Sequence, residues 1–174
     1  MQEHMKKNIE NRKIGPEQVY SASLIAGMSS FGILNQAVVS SAAEQMGNDL
    51  AEYCIVSQPD IVKSLQSENE TDINSILKKT LDILQSLLKI SEEIKYKEES
   101  DGFTVLIRSN TCRYCPKGVG RAELSGTLCP FPSLIENFVN RLNNRKLIKV
   151  KKEKSKPLLT KEDDWCVIKY TSSD

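Results

Sequence analysis

Two periodicities divide this chain. Up to Ile90 the apolar residues recur at helical spacing, and after Ser91 they alternate with a period of two. Pro16-Glu17 predicts a helix start, with proline in the first turn and an acid at the positive end of the helix dipole. The pattern runs through Met28 and resumes from Phe31 to about Ile55. In the second stretch Leu34, Val38, Ala42, Gln45 and Asp49 trace one stripe, and Ala43, Gly47, Ala51 and Cys54 a second. The second stripe is small enough to admit another backbone. Gly27, Gly32 and Gly47 each weaken an isolated helix by ~1 kcal/mol relative to alanine, so tertiary or dimer packing must hold this region. Ser64 to Glu70 reads as a polar loop. Thr71-Asp72 then caps a third helix ending near Ile90, with Ile73, Ile76, Leu77, Leu84, Leu87 and Leu88 on its apolar side.

Beyond Ser91, Ile94 and Tyr96 alternate with Glu93, Lys95 and Lys97, and Phe103, Val105 and Ile107 with Thr104, Leu106 and Arg108. Asp101-Gly102 between them predicts a hairpin turn. A cysteine-rich loop follows, then a helix from Pro132 or Ser133 to about Asn144, then strands over Lys146–Lys154 and Trp165–Thr171. The expected fold is α+β: three N-terminal helices packed on a four-stranded antiparallel sheet, in the order ααα-ββ-α-ββ. It forms a single domain over 1–174, with 1–16 a loosely ordered arm, 17–90 helical and 91–174 the sheet with its cysteine loop.

Composition narrows the setting without naming a function. The chain has 174 residues, 39% hydrophobic and 27% charged, and a net charge of +1. Nothing global argues for nucleic acid or an anionic membrane. The most apolar stretch, Leu24 to Val39, is interrupted by glycines, serines, Asn35 and Gln36, and is not expected to span a bilayer. A cytoplasmic protein with reduced thiols is the expectation, and the odd count of five cysteines weakens a disulfide framework further.

Three of those cysteines fall in TCRYCPKGVGRAELSGTLCP, from Thr111 to Pro130, and a fourth in DDWCVIKY at the start of the last strand. Cys112 and Cys115 form a C-x2-C pair, a turn that brings two sulfurs to one tetrahedral ion at about 2.3 Å. Cys129 opens the next helix and Cys166 the last strand, so the fold can bring both to the pair. Cys112, Cys115, Cys129 and Cys166 are thus the candidate ligands of a structural Zn²⁺, because an all-thiolate site keeps no open position for catalysis. Four thiolates around Zn²⁺ leave a net −2, which Arg113, Lys117 and Arg121 could offset. An iron–sulfur cluster, a redox set and an inert set remain open beside zinc. A thioredoxin-like role is disfavoured, since a long loop separates the C-x2-C from the next helix. Cys54, between Tyr53 and Ile55, reads as a buried core thiol.

No catalytic constellation stands out. His4 is the one histidine and lies in the N-terminal arm. Lys117-Gly-Val-Gly120 lacks the pattern of a phosphate loop. Glu162-Asp163-Asp164 reads as a solvated turn. Arg141 to Lys161 carries nine Lys or Arg against one acid, Glu153. Without interleaved aromatics this stretch reads as an edge strand protected by lysines rather than a nucleic-acid patch.

The C-x2-C after a strand, LCPFPSLIENFVNRL and DDWCVIKY together resemble the 4-vinyl-reductase-like, hydrocarbon-binding domain family. That family is related in fold to TRAPP subunits and haem–nitric-oxide sensors. The likeness is best over Ile94–Tyr170, and Phe31–Tyr53 follows the family's glycine-containing helices loosely. Where many members carry a further cysteine, this chain has Leu158-Leu159-Thr160. The resemblance implies a homodimer, a metal-stabilised lobe, and an apolar pocket between helices and sheet for a small hydrophobic ligand. The expected function is a ligand-binding or sensor domain signalling through a regulatory partner protein. The alternatives are a zinc-containing nucleic-acid-binding protein using the basic strand 145–156, and a reductase-type enzyme.

Overall fold

The computed structural model describes residues 2–66, 72–115, 128–153 and 156–173. Five helices precede the sheet: α1 (Gln2–Arg12), α2 (Pro16–Ser30), α3 (Gln36–Ser57), α4 (Pro59–Gln66) and α5 (Ile73–Leu88). The hairpin β1 (Ile94–Glu99) and β2 (Gly102–Arg108) follows, then α6 (Phe131–Leu142), β3 (Ile148–Val150), β4 (Thr160–Glu162) and β5 (Trp165–Ser172). The α+β class and antiparallel sheet agree with the periodicity, whereas the element count does not.

Three differences have local causes. Residues expected to form a loose arm are helical in α1, a polar helix carrying the i,i+4 pair Lys6–Glu10 at 3.9 Å. The helix expected from Phe31 to about Ile55 starts five residues later: Phe31 caps α2, and Asn35 starts α3 by accepting from the Val38 amide at 3.0 Å. The expected loop at Ser64 belongs in part to α4, which opens on Pro59 and buries Val62 and Leu65; residues 67–71 lie outside the described residues. Asp72 does cap α5, accepting from the Asn74 amide at 3.0 Å.

The sheet has five strands rather than four, in the order β1-β2-β5-β3, with β4 also on β5. β2 pairs with β5 from Gly102↔Thr171 to Arg108↔Trp165. β3 and β4 therefore share the opposite side of β5, β3 at Tyr170–Ser172 and β4 at Trp165–Val167. The expected strand Lys146–Lys154 shrinks to three residues, and β4 forms because Asp163, at φ 49°, turns the chain back onto β5. At the β1–β2 turn, a Cβ on Gly102 would collide with the Tyr170 carbonyl of β5, so a residue without a side chain is required.

The core centres on α6. Phe131, Leu134, Ile135, Phe138, Val139 and Leu142 are all buried, each worth about 1.5–3 kcal/mol when fully removed from water. The small stripe of α3 is the seat for this helix. Ala43, Gly47, Ala51 and Cys54 are buried, and an added methyl at Gly47 would lie 2.5 Å from the Leu134 carbonyl oxygen. The other α3 stripe, from Val38 to Asp49, points largely to solvent. Asn140 of α6 accepts from the Leu147 and Ile148 amides at 2.8 and 3.1 Å and donates to the Ile148 carbonyl at 2.9 Å, while Glu136 accepts from the Val150 amide at 2.8 Å. These bonds fasten β3 to α6. The buried Tyr170 hydroxyl donates to the Pro132 carbonyl at 3.1 Å, which ties β5 to the start of the same helix.

Candidate functional site: a four-cysteine cavity

The turn that carries the C-x2-C pair is held from two sides. Ser91 Oγ donates to the Arg108 carbonyl at 2.9 Å and lies 2.7 Å from Thr111 Oγ1, and the Arg113 amide donates to the Ile90 carbonyl at 2.9 Å. On the other side the Ser109 amide donates to the Asp164 carbonyl at 2.7 Å. Tyr114 packs edge-on against Phe131, with ring centroids 5.7 Å apart, and its hydroxyl donates to the Leu88 carbonyl at 3.0 Å. The turn is thereby fixed between the α5–β1 connection, the β4–β5 turn and the start of α6.

Cys129 immediately precedes α6, which starts after Pro130. Cys166 stands on β5, between Ile107 of β2 and Lys161 of β4 in the register. Cys112, Cys115, Cys129 and Cys166 all line one cavity of about 90 Å³, which Ile107, Phe131 and Leu159 wall with apolar surface. Cys54 does not line it; that thiol is buried in the α3–α6 contact. Among the described residues, no three His, Cys, Asp or Glu side chains are drawn together tightly enough to hold a metal ion. The four sulfurs thus share a chamber without being closed around a point.

Their electrostatics follow from burial. The Cys112 thiol is pushed up to about 12, first by burial and then by neighbouring Cys115, with Arg12 working in the opposite direction. Burial also raises Cys129 far above its ordinary value, reinforced by Cys112, Cys166 and Cys115. Cys166 rises for the same first reason, although Lys161 lowers it. Redox-active cysteines are instead depressed by helix termini or nearby cations. Protonated buried thiols make poor nucleophiles; what this set offers chemically is soft-ligand coordination, in which a metal displaces the protons.

The charge compensation differs from expectation. Arg12 and Lys161 are the cations on the cavity wall. Arg113 lies on the turn itself with its Nε buried and without a partner, and Lys117 and Arg121 lie outside the described residues, as does Gly118. No sequence signal pointed to Arg12, which stands 103 residues from the Cys115 carbonyl it contacts. Lys161 could have been found once a strand was placed opposite Cys166.

Within the basic stretch, three cations have acidic partners among the described residues, Arg141 with Glu52 being one. Lys151 meets Asp101 at 2.7 Å, Lys156 meets Glu153 at 2.5 Å, and β3 is the terminal strand in the sheet order. Trp165 lies on neighbouring β5, with Lys95 4.5 Å and Arg108 5.2 Å from its ring centroid. No helix among the described residues is long and apolar enough to cross a membrane.

The MJ0207 family matches residues 32–172, from just after α2 to the end of β5, a span that includes all four cavity cysteines. The chain belongs to the MJ0207 family. Among curated proteins it is similar to "Uncharacterized protein MJ1342" of Methanocaldococcus jannaschii, 33% identical over 60 residues, or 34% of this chain. The match spans about half, 52%, of that relative's length. No solved structure matches. The MJ0207-family region thus contains the whole sheet and the α3–α6 core, while α1 and α2 precede it.

Proposed function

We propose that this MJ0207-family chain is a small-molecule-binding, regulatory module whose sheet lobe is organised by a metal held on Cys112, Cys115, Cys129 and Cys166. The observation that carries the reading is the meeting of four thiols, from three separate parts of the chain, at one cavity. The donor set fits a resident metal: four soft ligands, cationic Arg12 and Lys161 on the wall, and apolar surroundings. Zn²⁺ is the occupant that such a set takes most simply, and with every position filled it would supply structural cohesion rather than chemistry. The cavity residues' own part is to bring the sulfurs near, keep water out and offset the thiolate charge.

The ligand-binding part of the proposal rests on a cleft between α5 and the β1–β2 hairpin. Leu77, Leu81, Tyr96 and Phe103 line it together with the polar Asn74, Lys78, Lys97 and Glu98, and its volume is about 240 Å³. This placement, between helix and sheet, is where the hydrocarbon-binding resemblance puts a small apolar ligand. The homodimer it implies has apolar surface to use: Tyr20, Leu24 and Phe31 on or beside α2, and Met46, Tyr53 and Val56 on α3, are all exposed.

Native mass spectrometry of the purified chain with elemental analysis tests the proposal directly. One metal per chain, lost in Cys115→Ser and retained in Cys54→Ser, is the expected result. A well-folded, metal-free protein, or equal loss in both variants, would end the four-cysteine reading.

A further inference from the structure

The N-terminal helices join the rest of the molecule at the cysteine turn. Arg12, the last residue of α1, donates from Nη1 to the Cys115 carbonyl at 3.1 Å and forms part of the cavity wall. Lys13 meets Glu92 at 2.7 Å. Gln18, buried in the first turn of α2, accepts from the Gly15 amide at 2.7 Å, and its side chain interacts with the Tyr114 hydroxyl strongly enough to oppose the rise that burial imposes on it. All three attachments fall on the Cys112–Cys115 turn or on the segment to which that turn is pinned. Beyond them, α1 and α2 keep a small apolar cluster of their own, Ile9, Ile14, Val19 and Ala22, apart from the main core. Nearly the whole arm lies outside the family match, which begins at residue 32.

From this juxtaposition we infer that the four-cysteine centre is the latch of the N-terminal arm, with Arg12 as the positioning residue that couples them. The inference rests on the four-thiolate reading above. Four thiolates around a dication leave a net −2, and Arg12 stands on the wall that faces this charge. A charge-assisted contact of this kind is roughly twice as strong as a neutral one. Metal binding also fixes the Cys115 backbone, whose carbonyl is the acceptor for Arg12. With the centre filled, the arm docks in one orientation and presents Tyr20 and Leu24 outward. With the centre empty, the attracting charge is lost, the Cys115 carbonyl is no longer fixed by the metal, and the arm loosens. Linkage requires the converse as well: a docked arm tightens metal binding by the same factor.

Hydrogen exchange over residues 2–33 of the full chain, metal-free and with added Zn²⁺, tests the latch. Zn²⁺ affinity by chelator competition is measured alongside, for wild type, Arg12→Gln, Arg12→Lys and Lys6→Gln. Zn²⁺ should slow exchange in the wild-type arm. Arg12→Gln should abolish the slowing and weaken Zn²⁺ binding about tenfold, the low end for groups that surround metal ligands. Arg12→Lys should restore part of both, and Lys6→Gln should change neither. Zn²⁺ binding with no change in arm exchange overturns the latch and leaves the four-cysteine centre standing. An arm slowed equally in Arg12→Gln overturns the role of Arg12. Failure of the wild type to bind metal removes centre and latch together. Should Arg12→Gln misfold, the wild-type exchange comparison alone decides.

Discussion

The α3–α6 contact runs along helix α6 and the cysteine cavity lies at its start, and they are held together by different means. At the first, Gly47 brings a backbone carbonyl against helix α3, and Ala43, Ala51 and Cys54 complete a close-packed seam. Nothing beyond side-chain shape is needed there. At the second, four sulfurs line an open chamber, with the Cys112, Cys129 and Cys166 thiols raised by burial and Arg12 and Lys161 on the wall. A packed seam is complete as it stands, whereas on the reading proposed above the chamber of soft donors would be completed by a metal. On that reading the contrast separates the part of the fold that apolar burial stabilises from the part that a cofactor would organise.

The sharpest way to break the comparison is to remove the metal. Thiolate sites in small peptides contribute about 10–16 kcal/mol, comparable with the ~5–15 kcal/mol that holds a whole domain. Chelation should therefore lower the melting temperature more than any single core substitution. Hydrogen exchange should rise first around Cys112–Cys115 and the start of β5, while α3 and α6 stay protected. Simultaneous loss of protection in both regions would erase the distinction.

Next in size is Gly47→Val. The added carbons cannot fit beside the Leu134 carbonyl, so the helices must separate, at a cost of about 3 kcal/mol or more. Metal content should not change. Asn140→Ala follows: it removes one acceptor and one donor that together make three bonds to the β3 segment, for a loss of about 1–3 kcal/mol by urea denaturation. Both belong to the packed region, so either one releasing metal would show the two regions to be one cooperative unit.

Most of this seam was legible in the sequence, and part of the chamber was. The small stripe Ala43-Gly47-Ala51-Cys54 announced a close backbone approach, and the period-two stretches announced β2 and β5. Periodicity reports which face is buried, and those faces are buried. The helix α4 was missed because eight residues with two buried positions carry too little pattern to separate from a loop. Strand β4 was missed because Thr160-Lys-Glu has no alternation of its own; it is a strand only because Asp163 folds it onto β5. Element order allowed Cys129 and Cys166 to reach the side of the C-x2-C turn, and all four cysteines line one cavity. The part played by Arg12 did not, since a contact across 103 residues leaves no local trace.

The smallest expected effect lies on the exposed rim of the packed region and concerns acid. Asp101, in the β1–β2 turn, is held below its ordinary value by the hydrogen bond and the charge of Lys151, 2.7 Å away. A depressed carboxylate contributes stability at pH values above its unfolded value, and loses that contribution as pH falls through its folded value. The window therefore opens below about pH 4, the ordinary aspartate range, and closes at more acidic pH. Asp101→Asn should leave the stability profile nearly unchanged in shape between pH 5 and 8 and flatten it slightly on the acid side. Because the pair is exposed and screened by salt, the flattening should be seen at low ionic strength and fade at high. Metal-bound thiolates also pick up protons in acid, so the measurement belongs to the chelated protein as well as the loaded one. A flattening of equal size in both assigns the effect to the sheet rim; one confined to the loaded protein would place Asp101 in communication with the cysteine chamber instead.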